Sequence, residues 1–215
     1  MESTRKTRFT ITRNLLLHKK LNGIRDNMTD LNPKQNPDQH LTPQQLAREV
    51  VYQSRWVNLY KDTVKFPNGF VIDKFHLLDF EHEAVTAIME NTAGEVIFVL
   101  IPRYATGTVE WELPAGGMEI GETAIEAARR ELLEETGYSS EGHVLVYSYY
   151  PMNGNANQVF HIVHCKVTEL VQGFDPNEVS DVHWFTRKEI KQMIKEKKIT
   201  DGFTLTALLL WLSED

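Results

Sequence analysis

Gly116–Tyr138 reads GGMEIGETAIEAARRELLEETGY, with six glutamates and two arginines in 23 residues. Ala124, Ala127, Ala128 and Leu132 recur at helical spacing through Thr123–Glu135, and Gly137 stands where a helix C-terminal glycine belongs. The pattern predicts a glycine-bearing loop followed by a helix. On that helix Glu131 and Glu135 are four apart and share a face, with Glu134 beside them. Like charges at this spacing repel by a few tenths of a kcal/mol even when exposed. Arg130, four residues before Glu134, is placed to pair with it and leave Glu131 and Glu135 free. Carboxylates gathered without a nearby His or Cys suit a hard cation such as Mg2+ or Mn2+. The preceding PAGGMEIGE has three glycines, which let backbone groups come close to a phosphate or a metal. A solvated acidic helix accounts for ELLEE alone, but not for the whole stretch.

Outward from this helix the apolar pattern has other periods. SRWVNLYKDTVKF and FVIDKFHLLDF alternate around Pro67-Asn68-Gly69 and predict a β-hairpin. EAVTAIMEN and EVIFVLIPRY flank Thr92-Ala93-Gly94 and predict a second. The run Val96–Ile101 is nearly all apolar, as in a strand covered on both faces. VEWELPAGG is a short strand ending at Pro114, and HVLVYSYY, QVFHIVHCKV and DVHWF are further strands. TRKEIKQMIKEKK opens on a capping threonine, Thr186, and DGFTLTALLLWL closes the chain as an apolar helix. The class is α/β, a mixed sheet sandwiched between helices with an N-terminal β-hairpin extension.

The 215 residues, 41% hydrophobic and 25% charged, have ordinary globular composition. A lone Cys165 excludes an intrachain disulfide and fits a reducing compartment, so a cytoplasmic location is expected. No apolar run reaches the roughly 18 residues that span a bilayer, so no membrane partner is expected. A net charge of −7 speaks against a general nucleic-acid-binding surface. The charge is uneven, because Arg5, Lys6, Arg8, Arg13, Lys19, Lys20 and Arg25 face only Glu2 and Asp26 in the first 27 residues. This head reads as an unstructured tail or an upstream start with Met28 as the true first residue, with a transit-like segment as the alternative. Residues 1–45 are expected to be a disordered basic head and polar linker. Residues 46–75 are expected to carry the start of a helix and the hairpin, and 76–215 the main domain.

The spacing Gly116, five residues, Glu122, seven residues, Arg130-Glu131-Leu132-Leu133-Glu134-Glu135-Thr136-Gly137-Tyr138 resembles the Nudix box at every fixed position. Seven fixed residue types, each below about 10% in usage, meet by chance on the order of once in ten million. The resemblance reaches further. SRWVNLYKDTVKFPNGFVIDKF and RYATGTVEWELPAGG are similar to the hairpin and box approach of ADP-ribose and ADP-sugar pyrophosphatases, over roughly residues 50–212.

This resemblance implies Mg2+-dependent hydrolysis of a nucleoside diphosphate linked to another moiety, with ADP-ribose or an ADP-sugar giving AMP and a sugar phosphate. It implies Glu131 and Glu135 as metal ligands, Glu134 as a further ligand and the Ala115 carbonyl as a backbone ligand. Gly116, Glu122, Arg130 and Gly137 then support the loop and helix. A carboxylate on the later loop GFDPNEVSDVHWF would orient the attacking water. Asp175, Glu178 and Asp181 are the choices there, and Glu178 matches best. Trp56 matches an adenine-stacking aromatic, Arg103 a diphosphate contact, and Pro151 the substrate loop. The subfamily also implies a homodimer through the hairpin region. Two departures stand out: Ile101-Pro102-Arg103 replaces Gln-x-Arg, and Pro151 is followed by Met152-Asn153-Gly154 rather than glycine. The alternatives are another nucleotide (a GDP-sugar, a dinucleoside polyphosphate or a nucleoside triphosphate), or a non-catalytic ADP-ribose sensor. The intact carboxylate set opposes the sensor. His143, His161, His164 and His183 are expected to pack or face solvent, and no spacing suggests zinc.

Overall fold

The computed structural model describes residues 39–214. The expected head and most of the expected linker lie outside them. After a 3-10 turn at Gln39–Leu41 come β1 (Gln44–Tyr52), β2 (Asn58–Lys65) and β3 (Val71–Asp79), an antiparallel three-stranded sheet in that order. The β2–β3 hairpin turns at the expected place, with Gly69 at φ 88° and its N–H donating to the Phe66 carbonyl at 2.9 Å. The expected helix start near residue 46 is a strand instead, which ends the linker by Gln44 and makes the extension a sheet of three. Gln, Leu, Ala, Arg and Glu favour helix locally. Here the ladder with β2 prevails, reinforced by Arg48, which grips buried Asp62 with Nε at 2.9 Å and Nη2 at 2.8 Å.

The main sheet holds β4 (Ala84–Glu90), β5 (Val96–Arg103), β6 (Thr108–Glu112), β7 (Ala115–Gly117), β8 (Tyr138–Tyr149), β9 (Phe160–Leu170) and β10 (Asp181–Phe185). Its order is β10-β5-β4-β9-β8, with β4 and β9 parallel and β6 and β7 paired to β5 and β4. The expected β4–β5 hairpin pairs only at Glu90 and Val96. The chain then inserts β6 against β5, crosses at Leu113-Pro114, and continues as β7 against β4. The Pro114 carbonyl accepts from Ala87 N–H at 2.9 Å and Thr86 Oγ1 at 3.1 Å, which fixes the crossing. This crossing delivers Ala115–Gly117 to the middle of the sheet.

Helix α1 (Ala124–Thr136) covers one face, where Ala127, Ala128 and Leu132 pack on Val85, Ala87, Met89, Ile97, Val163 and Cys165. Helices α2 (Arg187–Lys195) and α3 (Gly202–Leu212) cover the other, over Ile88, Val96, Phe98 and Ile162. The interior strand β5 is buried on both faces, as its unbroken apolar run demands. Among the described residues no helix is long and apolar enough to cross a membrane.

Candidate active site

Helix α1 is fixed at both ends. At its start Thr123 and Glu126 form a capping box, Thr123 accepting from Glu126 N–H and Glu126 accepting from Thr123 N–H. At its end Gly137 takes φ 76°, and its N–H donates to the Leu133 carbonyl at 2.9 Å. A side chain on Gly137 would also collide with the Gln172 carbonyl. The buried face runs Ala124, Ala127, Ala128, Glu131, Glu135, so small alanines set the helix close to the sheet and two carboxylates continue their row.

Glu131 lies directly over Gly116. A Cβ on Gly116 would occupy the space of the Glu131 carboxylate, so only glycine admits this packing. Glu135 Oε2 accepts from the Ala115 N–H at 2.9 Å, so Ala115 meets the cluster through its backbone. Both carboxylates are buried, at 8% and 5% exposure. Burial raises the Glu131 carboxyl against the pull of Arg130. Burial likewise pushes Glu135 up to about 8, with Glu131 adding repulsion and Ala115 N–H opposing. Two neighbouring acids that resist ionising together make a donor set short of positive charge.

Arg130 organises the rim. Its Nε and Nη2 donate to Glu122 at 2.9 Å each, and Nη2 also donates to the Gly117 carbonyl at 2.8 Å. The guanidinium hydrogen bond depresses Glu122 to about 2. Arg130 Nη1 lies 2.8 Å from Glu131 Oε1 and 3.3 Å from Glu134 Oε2. The expected pairing with Glu134 is therefore present, but Glu131 is also engaged rather than left free. Glu134 is exposed and turned toward Arg130. Glu126 also differs from a merely solvated acid, since it completes the cap.

The later loop is strapped to the end of α1. Val171 N–H donates to Gly137 O at 2.9 Å, and Asp175 N–H donates to Glu134 O at 3.1 Å. Glu178 is exposed there, beside buried Val179, and its charge helps raise both Glu131 and Glu135. Asp175 instead accepts from Asn177 at 2.8 Å and 2.7 Å, and Asp181 accepts from Val182 N–H at 2.8 Å.

Arg103, at the end of β5, clasps buried Glu112 with Nε at 2.9 Å and Nη2 at 2.6 Å. Sequence reasoning missed Glu112. Its signal was an acid inside the strand VEWEL, opposite an apolar run. Glu112 holds the Arg103 guanidinium firmly protonated, and the charges of Asp201 and Glu135 add to this. Arg103 makes no further side-chain hydrogen bond among the described residues, so Nη1 keeps its donors.

Trp56 lies in the turn between β1 and β2, 71% exposed beneath the Arg55 guanidinium at 4.6 Å. Ser54 shapes that turn by accepting from the N–H groups of Trp56 and Val57 at 3.2 Å and 3.1 Å. Pro151 opens the loop between β8 and β9, which clasps β3. There Leu78 N–H donates to Asn155 O at 2.8 Å, and Phe80 N–H donates to Asn157 Oδ1 at 2.8 Å.

Among the described residues no three His, Cys, Asp or Glu side chains could hold a metal ion by themselves. Glu131 and Glu135 supply two carboxylates. That number suits Mg2+, which keeps waters and takes its remaining oxygens from the substrate.

A glycine loop, a capped helix with buried glutamates and a mixed sheet between helices define a Nudix domain. The NUDIX domain family matches residues 80–204, and the chain belongs to that family as a Nudix hydrolase. It is 27% identical over 167 residues to an ADP-ribose pyrophosphatase of Bacillus subtilis, covering 76% of this chain and 89% of the relative. It is 33% identical over 168 residues to a methanol dehydrogenase activator of Bacillus methanolicus, with the same coverage of 76% and 89%. The fold matches a crystal structure of an ADP compounds hydrolase at a TM-score of 0.70 and 20% identity, over 80% of this chain and 95% of that one.

Proposed function

We propose that this enzyme hydrolyses ADP-ribose or an ADP-sugar with Mg2+, or Mn2+ in its place, releasing AMP and a sugar phosphate. The observation that carries the reading is the Glu131–Glu135 pair, buried against Ala115 and Gly116 with its mutual repulsion only partly relieved by Arg130. Glu131, Glu135 and the Ala115 carbonyl would hold the cation, with Glu134 joining once it leaves Arg130. When bound, the cation neutralises the diphosphate and acidifies a nearby water. Glu178 orients that water from the strapped loop. Arg103, braced by Glu112, offers Nη1 to a phosphate oxygen, as a guanidinium fork suits. Trp56 stacks on adenine and the Pro151 loop borders the sugar. The three-stranded sheet forms a homodimer in which a second copy covers exposed apolar residues of β1 such as Leu46 and Val50. The protein acts in the cytoplasm.

A relative named as an ADP-ribose pyrophosphatase supports the substrate class. A second reading rests on the relative named as a dehydrogenase activator, in which the same chemistry serves to activate a partner dehydrogenase. The test is a panel of ADP-ribose, ADP-sugars, GDP-sugars, dinucleoside polyphosphates and nucleoside triphosphates, scored for product identity. AMP from the ADP compounds at the highest kcat/KM supports the first reading. A preference for a guanosine substrate or a triphosphate overturns it.

A further inference from the structure

Ser148, His161 and Glu83 form a hydrogen-bonded line at one end of the main sheet, on the same face as the carboxylate cluster, since His161 pairs with Val85 and Val85 pairs with Gly116 beneath Glu131. Ser148 Oγ lies 2.7 Å from His161 Nδ1, and His161 Nε2 lies 2.8 Å from Glu83 Oε2. Register places Ser148 opposite His161 across β8 and β9, while Glu83 leads into β4, the parallel neighbour of β9. Glu83 has the same parity as Val85, and His161 the same parity as Val163. All three side chains therefore meet on the α1 face.

The proton inventory follows from the partners. An ionised Glu83 only accepts, so His161 Nε2 carries the proton that faces it. In the neutral ring Nδ1 is then a lone pair, and the Ser148 hydroxyl must donate to it. This is a nucleophile, a base and a carboxylate that orients the base, at catalytic hydrogen-bond distances. Exposure is lowest at the middle of the line. The His161 side chain is 11% exposed, Glu83 is 32% exposed, and Ser148 is half-buried on the outer strand of the sheet, where a reagent can reach it.

We propose that Ser148 is an activated nucleophile, a second reactive centre beside the Nudix carboxylates that takes small acyl or phosphonyl esters. In the acyl reaction the Ser148 Oγ–H proton passes to His161 Nδ1 as Oγ bonds to the acyl carbon. The ester C–O bond breaks and the leaving alkoxide takes the proton from Nδ1. Water repeats the sequence on the acyl-serine, freeing the acid and restoring the hydroxyl. With a phosphonyl fluoride the same attack forms an Oγ–P bond and expels fluoride, and the adduct persists.

The test is labelling of the full chain with a fluorophosphonate probe, read by intact mass and peptide mapping. The expected result is one adduct per chain on Ser148, absent from Ser148→Ala. Labelling should slow by about 100-fold or more in His161→Asn, the loss of a general base. An unlabelled wild-type chain, an adduct on another residue, or wild-type labelling of His161→Asn overturns the proposal. Because the wild type alone can decide against it, misfolding of a variant does not protect it.

Discussion

Glu131 and Glu135 are held where ionising both is costly, and this sets what their replacement should do. Outer partners of a metal site typically cost 10–100-fold when mutated, and a direct ligand costs more. Glu131→Gln and Glu135→Gln are therefore each expected to lower kcat by roughly 100-fold or more. The thermal midpoint should not fall, because each substitution replaces a carboxyl whose ionisation is penalised by burial first and by neighbouring acids second. Steady-state kinetics and thermal melts of the metal-free proteins check both parts, and near-wild-type turnover rejects the assignment. Gly116→Ala should behave differently. Its methyl group displaces the Glu131 carboxylate, so activity and stability fall together, stability by about 1–3 kcal/mol as for other overpacked sites. The placement of Glu131 and Glu135 on one buried face was legible in their i,i+4 spacing. The engagement of Glu131 by Arg130 was not, because an adjacent-residue pair of this kind depends on the rotamer that Glu122 imposes on the arginine.

At the scale of elements, the loop before α1 is tied to the helix chiefly by Glu122 and Arg130. Glu122 has a folded-state value below its unfolded one, so its contribution is present above about 4.5 and is lost as pH falls toward about 2. Glu122→Gln is expected to flatten the stability profile across that acid window and leave the shape near neutrality unchanged. Denaturant titrations at stepped pH measure this, and an unaltered acid limb contradicts the coupling. Thr123→Ala, which removes one half of the capping box, should cost about 1 kcal/mol. The Thr186 cap, the Gly137 stop and the β2–β3 turn were readable because each depends on residues close in sequence. β1 was misread for the converse reason. Its helix-favouring residues are overruled by partners on β2 across a turn, above all Asp62. The Leu113-Pro114 crossing was likewise hidden, since only the whole sheet shows that β5 leaves β4 after one residue pair.

At the scale of the molecule, the three-stranded sheet is tied to the main sheet by the Asn155–Asn157 clasp on β3. The chemistry was legible because the box is one continuous stretch. Glu112 was not, because its meaning comes from Arg103 on the neighbouring strand. Trp56→Ala separates two uses of an exposed aromatic. Loss of base stacking, worth about 1–3 kcal/mol, should raise KM for ADP-ribose by roughly 5- to 150-fold with the oligomeric state intact. An unchanged KM together with a smaller particle in sizing would instead place Trp56 in the interface. The claim beneath all of this is that the buried carboxylates make a cation-dependent diphosphate hydrolase. Its most direct test is AMP release from ADP-ribose by the metal-free enzyme, titrated with Mg2+, in the wild type and in Glu135→Gln. The account predicts saturable, chelator-reversible AMP release in the wild type and almost none in the variant. Release that ignores the chelator, or that survives Glu135→Gln, would contradict it.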